Sequence, residues 1–125
     1  MFRGSGSSLT TAANWLQIAG VVLCVSAGND NDEVADYLPS RNDTVAVAAT
    51  NDSDFKAGFS TYGTWVDISA PGVAIWTTSM TPLQNGDVTH TYTSIQGTSF
   101  SSPIVAGAMA GGMRYGFSIS RPSSA

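Results

Sequence analysis

Charge is scarce in this sequence, and basic charge above all. Charged residues fill 11% of the 125 positions, and five Lys and Arg face nine Asp and Glu, for a net charge of −4. The basic residues are scattered along the chain, so they form no stripe that could neutralise a run of phosphates. We therefore expect no nucleic acid partner.

Cysteine, histidine and long hydrophobic runs are also nearly absent. The single cysteine, Cys24, excludes an intrachain disulfide framework and a metal cluster built from cysteines. The longest strongly apolar stretch, residues 18–27, is well short of the roughly 20 residues that a membrane helix needs, so no membrane contact is predicted. The same stretch is a weak match to a secretory signal, because a polar Gly/Ser segment separates it from Arg3.

What the sequence does contain is enough apolar material for a folded core. Hydrophobic residues make up 42% of the chain, which is too apolar for a disordered tail. A chain of this length has room for one compact domain, and two would be crowded.

The first half of the chain alternates a helical pattern with apolar runs. Apolar residues at helical spacing predict a helix over residues 8–19, with Ser8 as its cap and Gly20 at its end. The continuous, mostly β-branched run at residues 21–25 predicts a strand buried on both faces of a parallel sheet, and residues 44–49 predict a second buried strand. A helix that leads into such a strand indicates an α/β fold.

The second half predicts shorter strands, one hairpin and a second helix. Residues 65–68 and 73–78 are strand candidates, and the Pro and Gly of Ala70-Pro71-Gly72 separate them. An Asn-Gly-Asp turn precedes an alternating segment at residues 88–95, which is typical of a hairpin strand. Small residues at helical positions predict a closely packed helix over residues 100–113.

Two segments are candidates for chemistry. Gly97-Thr98-Ser99 places a serine at the mouth of the second predicted helix, which has Pro103 in its first turn. The N–H groups there can stabilise an oxyanion, although serines at such positions often only cap the helix. The second segment, Ser26-Ala27-Gly28-Asn29-Asp30, follows the first predicted strand, where open α/β sheets place ligand sites. Its alternative is a turn that contains an asparagine.

Both segments occur, in this order and at similar intervals, in one family. The sequence resembles the C-terminal half of the catalytic domain of the subtilisin-like serine proteases (subtilases, peptidase S8 family). The resemblance covers about residues 8–111, so we interpret residues 1–125 as a single, partial subtilase catalytic domain with a divergent tail at 112–125. The matching segments are Val21-Val22-Leu23-Cys24-Val25-Ser26-Ala27-Gly28-Asn29, Thr44-Val45-Ala46-Val47-Ala48-Ala49-Thr50, Phe59-Ser60-Thr61-Tyr62-Gly63, Val66-Asp67-Ile68-Ser69-Ala70-Pro71-Gly72, Gly97-Thr98-Ser99-x-x-Ser102-Pro103 and Val105-Ala106-Gly107-Ala108.

The resemblance implies a fold and roles for five residues. The fold would be part of the three-layer α/β subtilisin fold, with a mainly parallel central sheet whose N-terminal strands are missing. Ser99 would be the nucleophile, and Asn29 the side-chain donor of the oxyanion hole beside the Ser99 backbone N–H. Ser26, Ala27 and Gly28 would form one wall of the pocket for the substrate residue before the scissile bond. The implied activity is serine endopeptidase, with a peptide or protein as substrate.

The sequence departs from the family in its acid and base. The Asp-Ser/Thr-Gly motif is absent, no acidic residue precedes Asn29, and the only histidine, His90, lies after Asn29 in the predicted hairpin. We therefore predict that the chain alone is inactive, with the missing N-terminal half of the domain as a partner. Two alternatives stay open: a split protease completed in trans, and a non-catalytic interaction module on a subtilase scaffold.

The sequence assigns neither a cofactor nor a cellular location. Asp67 aligns with a family carboxylate that can help hold a weak structural cation, but Asp at a strand end is commonly a turn former, so we predict neither metal nor cofactor. Members of the family are commonly secreted. An export signal is expected upstream of Met1, and the location is left unassigned.

Overall fold

A three-stranded parallel sheet with a long helix against it holds the centre of the protein. The structure is a computed structural model and describes residues 6–83 and 85–117. In chain order the elements are α1 (Ser7–Ile18), β1 (Leu23–Ser26), β2 (Thr44–Thr50), β3 (Ile68–Pro71), β4 (Ile75–Pro82), β5 (Val88–Ile95) and α2 (Thr98–Arg114). The α/β fold with a mainly parallel central sheet is confirmed.

The parallel sheet has the order β1-β2-β3, and its middle strand is the most buried. Cys24 pairs with Val45, and Val47 pairs with Ile68. The small and β-branched residues of β2 let α2 approach closely, so that Val47 is fully buried with Ala70 and Val105 around it. The carboxyl ends of β1, β2 and β3 therefore lie at the same edge, beside the start of α2.

The two remaining strands form a separate antiparallel hairpin. Its register runs from Ile75 opposite Ile95 to Pro82 opposite Val88. In the turn, the Gly86 N–H donates to the Leu83 carbonyl over 3.1 Å. The predicted hairpin strand and its turn are confirmed.

Strand burial and strand limits differ from the sequence prediction in three places. The strand predicted at 21–25 begins at Leu23, and Val25 is the only one of its residues that is buried; among the described residues β1 is an edge strand that pairs with β2 alone. The two strands predicted on either side of Ala70-Pro71-Gly72 are separate, but the break between them begins at Gly72, because Pro71 is the last residue of β3. Proline is tolerated there because its missing N–H faces no further strand in the described sheet. Of the strand predicted at 65–68, only Ile68 is in a strand, as the first residue of β3, and it is preceded by a turn in which the Val66 N–H donates to the Gly63 carbonyl.

Both helices begin earlier than predicted. Gly6, not Ser8, is the N-cap of α1, and no side chain caps the helix. Helix α2 starts at Thr98, which puts Pro103 beyond the first turn and leaves the Ser99 carbonyl without its usual helical donor. The tail predicted to diverge is helical up to Arg114, and its residues 118–125 lie outside the described part. No helix in the described ranges is long and apolar enough to cross a membrane.

Candidate active site

The loop after β1 meets the first residue of α2. The Asn29 side-chain oxygen, Oδ1, accepts one hydrogen bond from the Thr98 N–H at 3.0 Å and another from the Thr98 hydroxyl at 2.9 Å. These contacts join residues 69 positions apart. With Oδ1 occupied, the Nδ2 group of Asn29 is the part of the amide that can donate to a ligand.

Thr98 is at the centre of this arrangement, a role that the sequence did not predict. It is fully buried, and its hydroxyl also accepts a hydrogen bond from the Gly28 N–H at 3.3 Å. Gly28 itself has a φ of 124°, a conformation that favours glycine. The threonine therefore holds both the backbone and the side chain of the loop that carries Asn29. The only available signal was its position directly before a serine at a helix start.

Two glycines keep the start of α2 close to the sheet. The Gly97 N–H donates to the Gly72 carbonyl at 2.8 Å, and the Ser101 hydroxyl donates to the Pro71 carbonyl at 3.2 Å. A Cβ on Gly72 would lie 2.5 Å from the Ser101 Oγ and 2.6 Å from the Ala49 Cβ. A larger residue at 72 would consequently push the start of the helix away from β3.

Ser99 is exposed and borders an open cleft of about 610 Å³. Of the three residues predicted to form a pocket wall, Ser26 lines this cleft together with Ser99. Ala27 and Gly28 are buried and do not line it. The Ala27 N–H instead donates to the Val47 carbonyl at 2.8 Å, which continues the pairing of β1 with β2. The cleft is lined by Cys24, Val25, Ser26, Asp36, Leu38, Pro39, Ser99, Ser102, Pro103 and Ala106.

The loop between β1 and β2 supplies a wall that the sequence analysis did not find. Asp36, Leu38 and Pro39 face the cleft from this loop. Between them in sequence, the Tyr37 hydroxyl contacts Arg41 Nη1 at 2.9 Å and Thr10 Oγ1 at 2.7 Å. The wall is thus tied to α1 by contacts between residues 27 positions apart.

Arg41 is the charged centre of those contacts. Its guanidinium donates to both carboxylate oxygens of Asp43, and Nη2 also donates to Asn14 Oδ1 at 2.8 Å. Hydrogen bonding to Arg41 lowers the pKa of the Asp43 carboxyl, and the same contact raises the pKa of Arg41. The pKa of Tyr37 is lowered by its hydrogen bonds, first from Thr10 and then from Arg41. These groups form one network that fixes the loop.

The other titratable candidates lie outside the Ser99 cleft or have structural contacts. His90 is exposed on β5 and is not a lining residue of the cleft. One oxygen of Asp67 accepts the Ala46 N–H at 2.8 Å, so this carboxylate supports β2. Over residues 6–83 and 85–117, no group of three or more His, Cys, Asp or Glu is arranged to hold a metal ion. Burial raises the pKa of the Cys24 thiol, which disfavours the reactive thiolate.

The pairing of a serine at a helix start with an anchored asparagine after a strand is found in one known family. The similarity to that family extends along most of the chain. The sequence model of the subtilase family matches residues 2–115. The chain belongs to the subtilase family. Its curated relatives include an extracellular protease of Xanthomonas campestris pv. campestris, 41% identical over 86% of this chain and 19% of its own length. Thermitase of Thermoactinomyces vulgaris is 39% identical over 81% of this chain and 33% of its own length.

Solved structures of subtilases show the same fold. A protease of Pseudoalteromonas arctica superposes with a TM-score of 0.72 at 31% identity, covering 86% of this chain and 34% of its own. A cold-adapted subtilisin-like serine proteinase gives a TM-score of 0.71 at 30% identity, covering 90% of this chain and 38% of its own. This subtilase chain thus spans about a fifth to two fifths of the relatives that it matches.

Proposed function

We propose that this chain supplies the nucleophile and the oxyanion-binding group of a subtilisin-like serine endopeptidase. The observation that carries the proposal is the pair of hydrogen bonds from Thr98 to Asn29 Oδ1, directly beside Ser99. They orient the amide so that Nδ2 can donate to a substrate oxygen. A turn that only closed a strand would not need the side chain held in this way.

The proposed reaction is acyl transfer from a peptide to Ser99. The Ser99 Oγ attacks the scissile carbonyl carbon, and its proton passes to a general base as the C–O bond forms. Negative charge develops on the carbonyl oxygen, where Asn29 Nδ2 and the Ser99 N–H stabilise it. The base then protonates the leaving amine, and water hydrolyses the acyl-enzyme.

This chain does not supply the base in that scheme. His90 is its only histidine, and it lies on the exposed hairpin. We infer that a further polypeptide segment provides the Asp and His, and that the chain alone is inactive. Exposed apolar surface supports a covering segment: Trp15 and Ile18 on α1 are 67% and 79% exposed, and Ile104 on α2 is 45% exposed. Such a segment could belong to the same protein or to a separate subunit.

A serine-reactive fluorophosphonate probe tests both statements. We expect no labelling of the purified chain, and labelling of Ser99 after addition of a thermitase segment that carries the Asp and His. Stoichiometric labelling of the chain alone would contradict its inactivity.

Two variants then separate the roles within the reconstituted complex. Ser99→Ala should abolish labelling, and Asn29→Leu should lower the rate about 10²–10³-fold, the size known for loss of one oxyanion donor in subtilisin itself. A complex that assembles but stays unlabelled would instead support a non-catalytic interaction module.

We also propose that the complete protein is exported, because two of its relatives are named as extracellular proteases.

A further inference from the structure

Two loops lie against each other beside Asn29. The Asn29 loop, residues 28–33, lies between β1 and β2, and the facing loop, residues 57–62, lies between β2 and β3. Three backbone hydrogen bonds join them, each 3.0 Å long: Thr61 N–H to the Gly28 carbonyl, Asn31 N–H to the Phe59 carbonyl, and Tyr62 N–H to the Asp32 carbonyl. The position of Asn29 therefore depends on the facing loop as well as on Thr98.

Lys56 joins the same two loops through its charged group. Its Nζ donates to Asn31 Oδ1 in the Asn29 loop at 2.8 Å. It also donates to the carbonyls of Ala57 at 3.2 Å and Ser60 at 3.0 Å in the facing loop. An ammonium group has three N–H donors, and here each has an oxygen acceptor. The group also lies 4.9 Å from the centre of the Tyr62 ring, which adds a cation–π contact.

The fixed position of this ammonium group is unusual for a surface lysine. Such side chains commonly leave the charge in water, because ordering a long side chain costs conformational entropy. Lys56 is exposed as a whole residue, yet its charged end makes four contacts with the two loops. Hydrogen bonds from a charged donor are stronger than neutral ones. The ammonium group therefore resists separation of the loops only two residues from Asn29.

We propose that Lys56 is a positioning residue for Asn29: its ammonium group holds the Asn29 loop against the facing loop and so keeps Asn29 Nδ2 directed beside Ser99. The inference rests on the proposed function, because it takes Asn29 as the oxyanion donor. Lys56 acts through Asn31 and the two carbonyls, not on the substrate. Without the ammonium group, the Asn29 loop would keep its bonds to Thr98 but would open more often, and Nδ2 would spend less time in place.

Amide hydrogen exchange of the full 125-residue chain tests these contacts without any reaction. Lys56→Met keeps most of the apolar stem of the side chain and removes the charge. We expect the Asn31 and Thr61 N–H groups to exchange about tenfold faster, and the Gly72 N–H, which donates to a carbonyl of β2, to be unchanged. A merely structural role would accelerate all three by one factor, through global unfolding. That result, or no change at Asn31 and Thr61, would overturn the proposal.

Chemical rescue and a matched control identify the ammonium group as the cause. Propylammonium contains the atoms that Lys56→Ala removes, so adding it should restore slow exchange at Asn31 in that variant. Tetramethylammonium at the same concentration should not, because it has the charge but no N–H donor. Arg114→Gln removes the same charge from the exposed far end of α2 and should leave exchange at Asn31 unchanged. Failure of propylammonium, equal rescue by both cations, or faster exchange in Arg114→Gln would each refute the assignment.

The reconstituted complex tests the effect on Asn29. Lys56→Met should lower the maximal rate of Ser99 labelling about tenfold and leave the half-saturating concentration of the fluorophosphonate probe unchanged, because the oxyanion donor acts in the transition state. In an Asn29→Leu background the same substitution should have no further effect, and an equal loss there would contradict the proposal.

The two proposals fail in different measurements. Failure of the proposed function would show as an unlabelled Ser99 in the reconstituted complex. Failure of the positioning role would show as unchanged hydrogen exchange at Asn31 and Thr61 in the chain alone.

Discussion

Replacing Thr98 by valine removes one hydroxyl while keeping almost the same volume. That hydroxyl donates to Asn29 Oδ1 at 2.9 Å and accepts the Gly28 N–H at 3.3 Å, and the residue is fully buried. Loss of the first bond costs about 0.5–1.5 kcal/mol. Leaving the buried Gly28 N–H without an acceptor costs a further 1–3 kcal/mol or so. We expect Thr98→Val to lower the free energy of unfolding by about 1.5–4.5 kcal/mol.

Urea unfolding followed by tryptophan fluorescence measures this change directly. Thr98→Ser is the matched control, because it keeps the hydroxyl and removes only a buried methyl group, at a cost of about 1 kcal/mol. If Thr98→Val costs no more than Thr98→Ser, the hydroxyl does not hold the Asn29 loop and the reasoning is refuted.

Three further predictions concern the supports of the site. Gly72→Ala should destabilise the chain by about 1–3 kcal/mol in urea unfolding, whereas Gly58→Ala, whose Cβ would meet nothing within 4 Å, should not. Because Arg41 holds the pKa of Asp43 below its ordinary 3.8, that pair stabilises the fold above this pH and ceases to do so as the pH falls through the lowered pKa. Asp43→Asn should therefore lose stability at neutral pH and show a smaller acid dependence, and equal acid profiles would contradict this. Asp67→Ala should lower the free energy of unfolding by about 1–3 kcal/mol in thermal or urea unfolding, since it leaves a buried N–H of β2 without the carboxylate acceptor. An unchanged midpoint would show that water replaces the carboxylate.

Much of the site could be predicted from local sequence. Ser99 was expected at the mouth of a helix and lies in its first turn, and Asn29 was expected after a strand and follows β1. Helical spacing and continuous apolar runs are properties of neighbouring residues, so they can be recognised from the sequence alone. The order of the motifs was enough to predict the family, which the comparisons confirm.

The strand limits were less predictable, for a physical reason that differs from case to case. The apolar run at 21–25 is typical of a fully buried strand, but burial depends on what packs against each side chain; β1 lies at the edge of the described sheet, and only Val25 among its residues is buried. Pro71 reads as an interruption because proline lacks an N–H. It is accommodated because no strand of the described sheet lies on that side of β3 to accept a hydrogen bond.

Local sequence patterns were sufficient to assign the family and the α/β class, and to single out Ser99 and Asn29. The contacts of the folded chain were needed to show that Thr98 orients Asn29 and that Asp36 borders the cleft of Ser99. Those contacts join residues whose separation in sequence follows no local period, since they depend on how β1, its loop and α2 pack together. Packing of that kind is set by the whole core at once, and no short pattern of residues records it.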